Sequence, residues 1–119
     1  MPRETFQLLF TFLASIMPAK AAMTPPSPEK FLTKYCIECH DSETKKGGLD
    51  LATLKRDHSN PTNFTKWVLV HDRVNAGEMP PKKKARPEAP EQTAFLGVIS
   101  ASLTKSGQAR IALQGRATQ

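Results

Sequence analysis

The 119-residue sequence holds only two cysteines, and both stand in Cys36-Ile37-Glu38-Cys39-His40. Two thiols separated by two residues and followed at once by an imidazole are the spacing of covalent haem attachment. Both sulfurs reach the two vinyl-derived carbons on one haem edge, and the next residue brings a nitrogen to the iron. Histidine suits that place because one neutral ring nitrogen ligates iron while the other donates a hydrogen bond that fixes the ring. The motif therefore predicts one haem c, bonded to Cys36 and Cys39, with His40 as proximal iron ligand. Three other uses of the cysteines compete. A thioredoxin-like redox pair calls for an adjacent βαβ pattern, which the sequence lacks. A zinc site would combine Cys36 and Cys39 with two of His40, His58 and His71, without a second close-spaced pair. A Cys36–Cys39 disulfide would leave His40 without a role.

Ahead of the motif, residues 1–21 read as an export signal: Arg3, an apolar stretch from Phe6 to Met17, then Pro18 and Ala19-Lys20-Ala21-Ala22, with cleavage after Ala21. The apolar run of about a dozen residues is shorter than the roughly 20 that a membrane span needs, so membrane attachment is expected only if this segment is retained. Export to a periplasmic or other extracytoplasmic compartment agrees with haem c, which is normally attached outside the cytoplasm. The formal charge is +6, from 17 Lys and Arg against 11 Asp and Glu, which favours acidic partners. Basic residues are not interleaved with aromatics and no nucleic-acid motif is present, so nucleic acid is not an expected partner.

The length fits one domain. Hydrophobic residues are 39% of the chain and aromatics 7%, a thin supply for offsetting the entropy of ordering it, and a large apolar cofactor would help close that gap. Ten prolines and six glycines predict short helices and long loops. Residues 22–29 are a linker into a domain covering 30–105, with Ser27 as candidate N-cap and Pro28 at the first helical position. Phe31, Leu32 and Tyr35 share one face of the helix that runs into Cys36. From Asp41 to Asn63 the chain is polar, with Gly47-Gly48 and the apolar anchors Leu49, Leu51 and Leu54, and reads as a loop with one short helical turn. Asn63 is a candidate cap for a second helix, Phe64 to about Ala76, ended by Gly77. Its stripe is Phe64, Trp67, Val68 and His71, widened by Leu69, Val70 and Val74. A third helix opens at Pro90-Glu91 and runs to about Lys105, burying Phe95, Leu96, Ile99 and Leu103, with a flexible tail over 106–119.

Between the second and third helices, Gly77-Glu78-Met79-Pro80-Pro81 is too rich in proline to be helical. Met79 is the candidate distal iron ligand, since a proline-flanked loop presents a thioether without helix packing; the alternative is a methionine that fills the core. Thioether ligation raises the reduction potential, which suits an electron carrier. Met17 and Met23 lie in or beside the signal; His71 is the rival ligand and His58 a weaker one. Tyr35 and Trp67 are candidates to pack near the porphyrin, or to be core. The basic run Lys82, Lys83, Lys84 and Arg86 follows the ligand loop, where it would lie beside the haem edge and steer an acidic redox partner, or serve as a solvated surface.

Taken together, Cys36-Ile-Glu-Cys-His40-Asp41, Lys46-Gly-Gly-Leu-Asp-Leu51, Trp67 and Gly77-Glu-Met-Pro-Pro81 give a chain that resembles the planctomycete-type cytochrome c domain over about residues 30–105. The resemblance implies an all-α, class I cytochrome c-like fold of about three short helices around one haem, with Cys36 and Cys39 as attachment points, His40 as proximal and Met79 as distal ligand. In that family the domain commonly stands at the N-terminus of larger exported proteins. Here the chain stops soon after the third helix, which is the expectation for a stand-alone carrier or for a shortened form of a longer protein. The function expected is single-electron transfer, with no catalytic residues; a haem-binding sensor or ligand-binding module is the alternative.

Overall fold

The computed structural model describes residues 27–117. The expected export signal, and the linker as far as residue 26, lie outside the described residues. Those described form three α-helices, one 3-10 turn and no strand: α1 over Pro28–Tyr35, the turn over Lys46–Gly48, α2 over Pro61–Asn75 and α3 over Ala89–Ala117. This is the all-α class expected for a small cytochrome-like domain.

Proline opens both short helices. Pro28 and Pro61 sit in the first helical turn, where the missing N–H costs nothing and the fixed φ is already helical. The cap of α2 is Asn60 rather than Asn63: its side chain accepts from the backbone N–H groups of Thr62, at 3.0 Å, and Asn63, at 3.1 Å. Pro61 behind Asn60 fits the start of a helix better than Asn63 in mid-run. At the far end of α3 the expected stop near Lys105 is also corrected. Gly107 does not adopt the positive φ of a helix-ending glycine, and the helix-favouring run from Gln108 to Gln114 carries α3 to Ala117. The Arg110 guanidinium lies 3.8 Å from the centre of the Phe64 ring, so this extension packs on the first turns of α2.

α3 is the element against which the other two helices pack. Its buried stripe, Phe95, Ile99 and Leu103, meets Phe31 and Leu32 of α1 and Trp67, Val70 and Val74 of α2, with Leu51 entering from the loop. The periodicity of α2 is thus rotated from the expected stripe: His71 is half-buried and Leu69 is 54% exposed, while Val70 and Val74 are inside. Phe31 stacks on Phe95 with ring centres 4.1 Å apart and planes 9° from parallel. Tyr35 Oη donates to Glu91 at 2.6 Å, joining the end of α1 to the start of α3. Phe95→Ala would remove both the core volume and the stack, and a loss of about 3–5 kcal/mol is expected in urea unfolding.

Two long-loop residues are fixed by the same core. Trp67 Nε1 donates to the Lys55 carbonyl at 3.0 Å. His58 is 4% exposed, shares a 2.8 Å hydrogen bond between Nδ1 and Ser102 Oγ, and meets the Trp67 ring edge-on. Burial, helped by the nearby Arg56 cation, holds its pKa below the ordinary value of 6.5. The unfolded chain therefore binds a proton that the folded chain refuses. Stability is full above about pH 6.5 and falls as pH drops through that value towards the folded-state pKa. Urea midpoints should decline from pH 7.5 to about 5.5 in wild type, and a His58→Gln variant should lose that part of the slope.

Candidate functional site

The attachment motif begins where α1 runs out. Cys36 N–H and Ile37 N–H both donate to the Leu32 carbonyl, at 2.9 and 3.0 Å, and His40 N–H donates to Cys36 O and Ile37 O, at 3.1 and 3.2 Å. The five motif residues therefore form a tight turn rather than an extended strand. The loop behind it is pinned in two places: Lys46 N–H donates to Cys39 O at 2.9 Å, and Leu51 N–H donates to His40 O at 2.7 Å. Buried Leu51 thus anchors the backbone of His40 to the core. Asp41 closes the intervening turn by accepting from the N–H groups of Thr44, at 2.6 Å, and Glu43, at 3.1 Å, contacts that hold its carboxyl below the usual range. Gly47 and Gly48 have φ of +67° and +73°, the left-handed conformation this turn requires.

Met79 is placed by the end of α2. Gly77, at φ +73°, donates to Val74 O at 3.1 Å, and Glu78 N–H donates to Arg73 O at 2.9 Å, the paired bonds of a Schellman ending. Met79 N–H reaches the same Arg73 carbonyl at 3.1 Å. The side chains repeat the tie: Arg73 Nη1 and Glu78 Oε2 are 2.6 Å apart. Beyond Met79, Pro80 is buried, and Met79 packs half-buried against the core.

These two segments face a common hollow. One cavity of about 450 Å³ is lined by Cys36, His40, Leu51, Val70, Val74 and Met79 among others, a volume within the range of cofactor sites. A smaller one, about 180 Å³, adds Tyr35, Cys39, Pro80 and Pro81. Cys36, His40, Lys46, Gly47 and Met79 line both. Four sequence-predicted site residues, Cys36, Cys39, His40 and Met79, are thereby brought together. Neither Trp67, His58 nor His71 lines either cavity. Trp67 is core, and His71 sits beside Asp72 with Nδ1 3.0 Å from its carboxylate.

The donor set fits haem c. Both cysteines carry free, half-buried thiols, and burial pushes Cys36 up to about 11, so at neutral pH it is a thiol. His40 Nδ1 is buried without a hydrogen-bond partner, hydrogen-bonding capacity that the chain itself leaves unused. Among the described residues no three His, Cys, Asp or Glu converge as a metal cluster, so the cysteines and two histidines do not assemble the alternative zinc site. Sequence reasoning missed Arg86, whose guanidinium holds the Met79 loop; its only signal was membership of a charge run.

Gly77 tests how Met79 is placed. A Cβ added there meets only Arg86 Nη2, at an ordinary 3.6 Å, so the cost of Gly77→Ala is that of the left-handed backbone, about 1–2 kcal/mol. Gly77→Asn should cost less in the same urea titration, because asparagine tolerates this conformation.

Residues 36–83 match the family described as Planctomycete cytochrome C, a stretch that runs from Cys36 through Trp67 and the Met79 loop. No curated protein and no solved structure matches the chain. Over residues 36–83 the chain is similar to that family.

Proposed function

We propose that this cytochrome c domain holds a single haem through thioether bonds from Cys36 and Cys39, with His40 and Met79 as iron ligands, and passes single electrons after export from the cytoplasm. The observation that carries this reading is the convergence of Cys36, His40 and Met79 on the same two cavities from opposite sides of the sequence, one segment following α1 and the other following α2. Haem c supplies a one-electron iron couple when bound. The chain's own part is to hold ligands still and keep water out. His40 is fixed through its carbonyl by Leu51, Met79 through its N–H by Arg73, and Leu51, Val70 and Val74 give the larger cavity an apolar wall. A thioether donor favours the reduced state and raises the potential. No helix among the described residues is long and apolar enough to cross a membrane.

The rim of the hollow is basic. Lys46, Lys66 and Arg73 line the larger cavity and Lys34, Lys46 and Lys84 the smaller, while Lys82 and Lys83 are exposed on the adjoining loop. Lys84 is paired with Glu38 at 2.8 Å and Lys34 with Glu91 at 3.5 Å. Lys46, Lys66, Lys82 and Lys83 are the exposed cations that would steer an acidic redox partner, and such steering weakens with added salt.

The ligand assignment is tested in the protein exported from a host with haem-attachment machinery. Wild type should show the ferric sulfur-to-iron absorption band, and Met79→Ala should lose it and shift to a lower potential while keeping its haem. A band that survives in Met79→Ala, or is absent from wild type, would overturn Met79 as the ligand.

A further inference from the structure

Arg86 stands at the end of the basic run, yet its guanidinium is turned onto the ligand loop. Nη1 donates to the carbonyl of Pro80 at 2.6 Å, and Nη2 donates to the carbonyl of Gly77 at 3.1 Å. These are the carbonyls immediately after Met79 and two residues before it. The same short segment is held from its other side by Arg73, whose carbonyl accepts from Glu78 and Met79. Every backbone group so engaged lies within Gly77–Pro80, and the thioether of Met79 projects from the middle of that span. A planar fork with donors in fixed relation bridges two carbonyls in a way that a single ammonium does not.

From this geometry we infer that Arg86 is a positioning residue for Met79: it staples the loop so that the thioether stays at the cavity instead of swinging out with the loop. The inference rests on Met79 being the distal ligand. Lys82 and Lys83, on the same run, have no such contacts and serve as internal comparisons for the effect of charge alone. Without the staple the loop keeps only its ties to the end of α2, through Val74 and Arg73, so the population with Met79 detached rises while the helices stay folded.

The experiment is a titration of the ferric, haem-loaded full chain with imidazole, which takes the distal position only when Met79 is away. The readout is loss of the sulfur-to-iron band, compared across wild type, Arg86→Gln, Arg86→Lys and Lys83→Gln, with helicity followed at 222 nm. Arg86→Gln should bind imidazole about tenfold more tightly than wild type, as expected from losing two charged hydrogen bonds, one part-buried and one exposed. Arg86→Lys should lie between them, and Lys83→Gln should match wild type. If Arg86→Gln does not fold, Arg86→Lys carries the test, since a shift of about threefold is expected there for losing one arm of the fork. Equal imidazole affinity in wild type and both Arg86 variants, or Arg86→Lys indistinguishable from wild type beside a shifted Arg86→Gln, would overturn the staple while leaving Met79 as ligand. Absence of the band from wild type would overturn the ligand assignment and the staple with it.

Discussion

An eight-residue helix is too short to hold itself in water, so the position of Cys36 is set by what grips α1 from outside. That grip is the stack of Phe31 on Phe95, extended by the hydrogen bond from Tyr35 to Glu91. Both join α1 to the first turns of α3. Because the attachment turn starts on the last α1 carbonyls, at Leu32, the stack also decides where the two thiols and His40 lie. α3 does the same for the other wall: Gln92 Nε2 donates to the Val74 carbonyl at 3.3 Å, beside the Schellman ending that projects Met79. One long helix thus registers two short segments that are about 40 residues apart in sequence, and a hollow forms between them.

The site is built from helix ends and turns. Its conformation comes from backbone hydrogen bonds rather than from side-chain packing. His40 is tied by the Leu51 N–H, Cys39 by the Lys46 N–H and Met79 by the Arg73 carbonyl. Positive-φ glycines at 47, 48 and 77 make these turns possible. The thin apolar composition is consistent with this design: nine hydrophobic residues among those described form the buried core, and much of what surrounds the cavity is only half-buried. A bound apolar group would complete that wall.

Much of this was legible in the sequence because local chemistry decided it. The attachment motif, Pro28 at the start of α1 and Gly77 as the α2 terminator all follow from residue types at short spacing. So does the i, i+4, i+8 stripe of Phe95, Ile99 and Leu103, whereas Pro61 at the start of α2 was passed over for Asn63. What else escaped was set by tertiary contacts. His58 sits in a polar loop with no periodicity, and its burial comes from Ser102 and Trp67, far along the chain. The rotation of the α2 stripe away from His71 reflects where α3 lies, and the continuation of α3 past Gly107 is supported by Arg110 on Phe64. Arg86 looked like one charge among four because nothing in a linear sequence says which cation turns back onto a carbonyl.

Covalent haem attachment is the central claim, and the intact mass of the exported protein after full denaturation tests it most directly. The account predicts a mass raised by one haem, lost from the Cys36→Ser, Cys39→Ser double variant. A folded, exported protein with the bare polypeptide mass would contradict it.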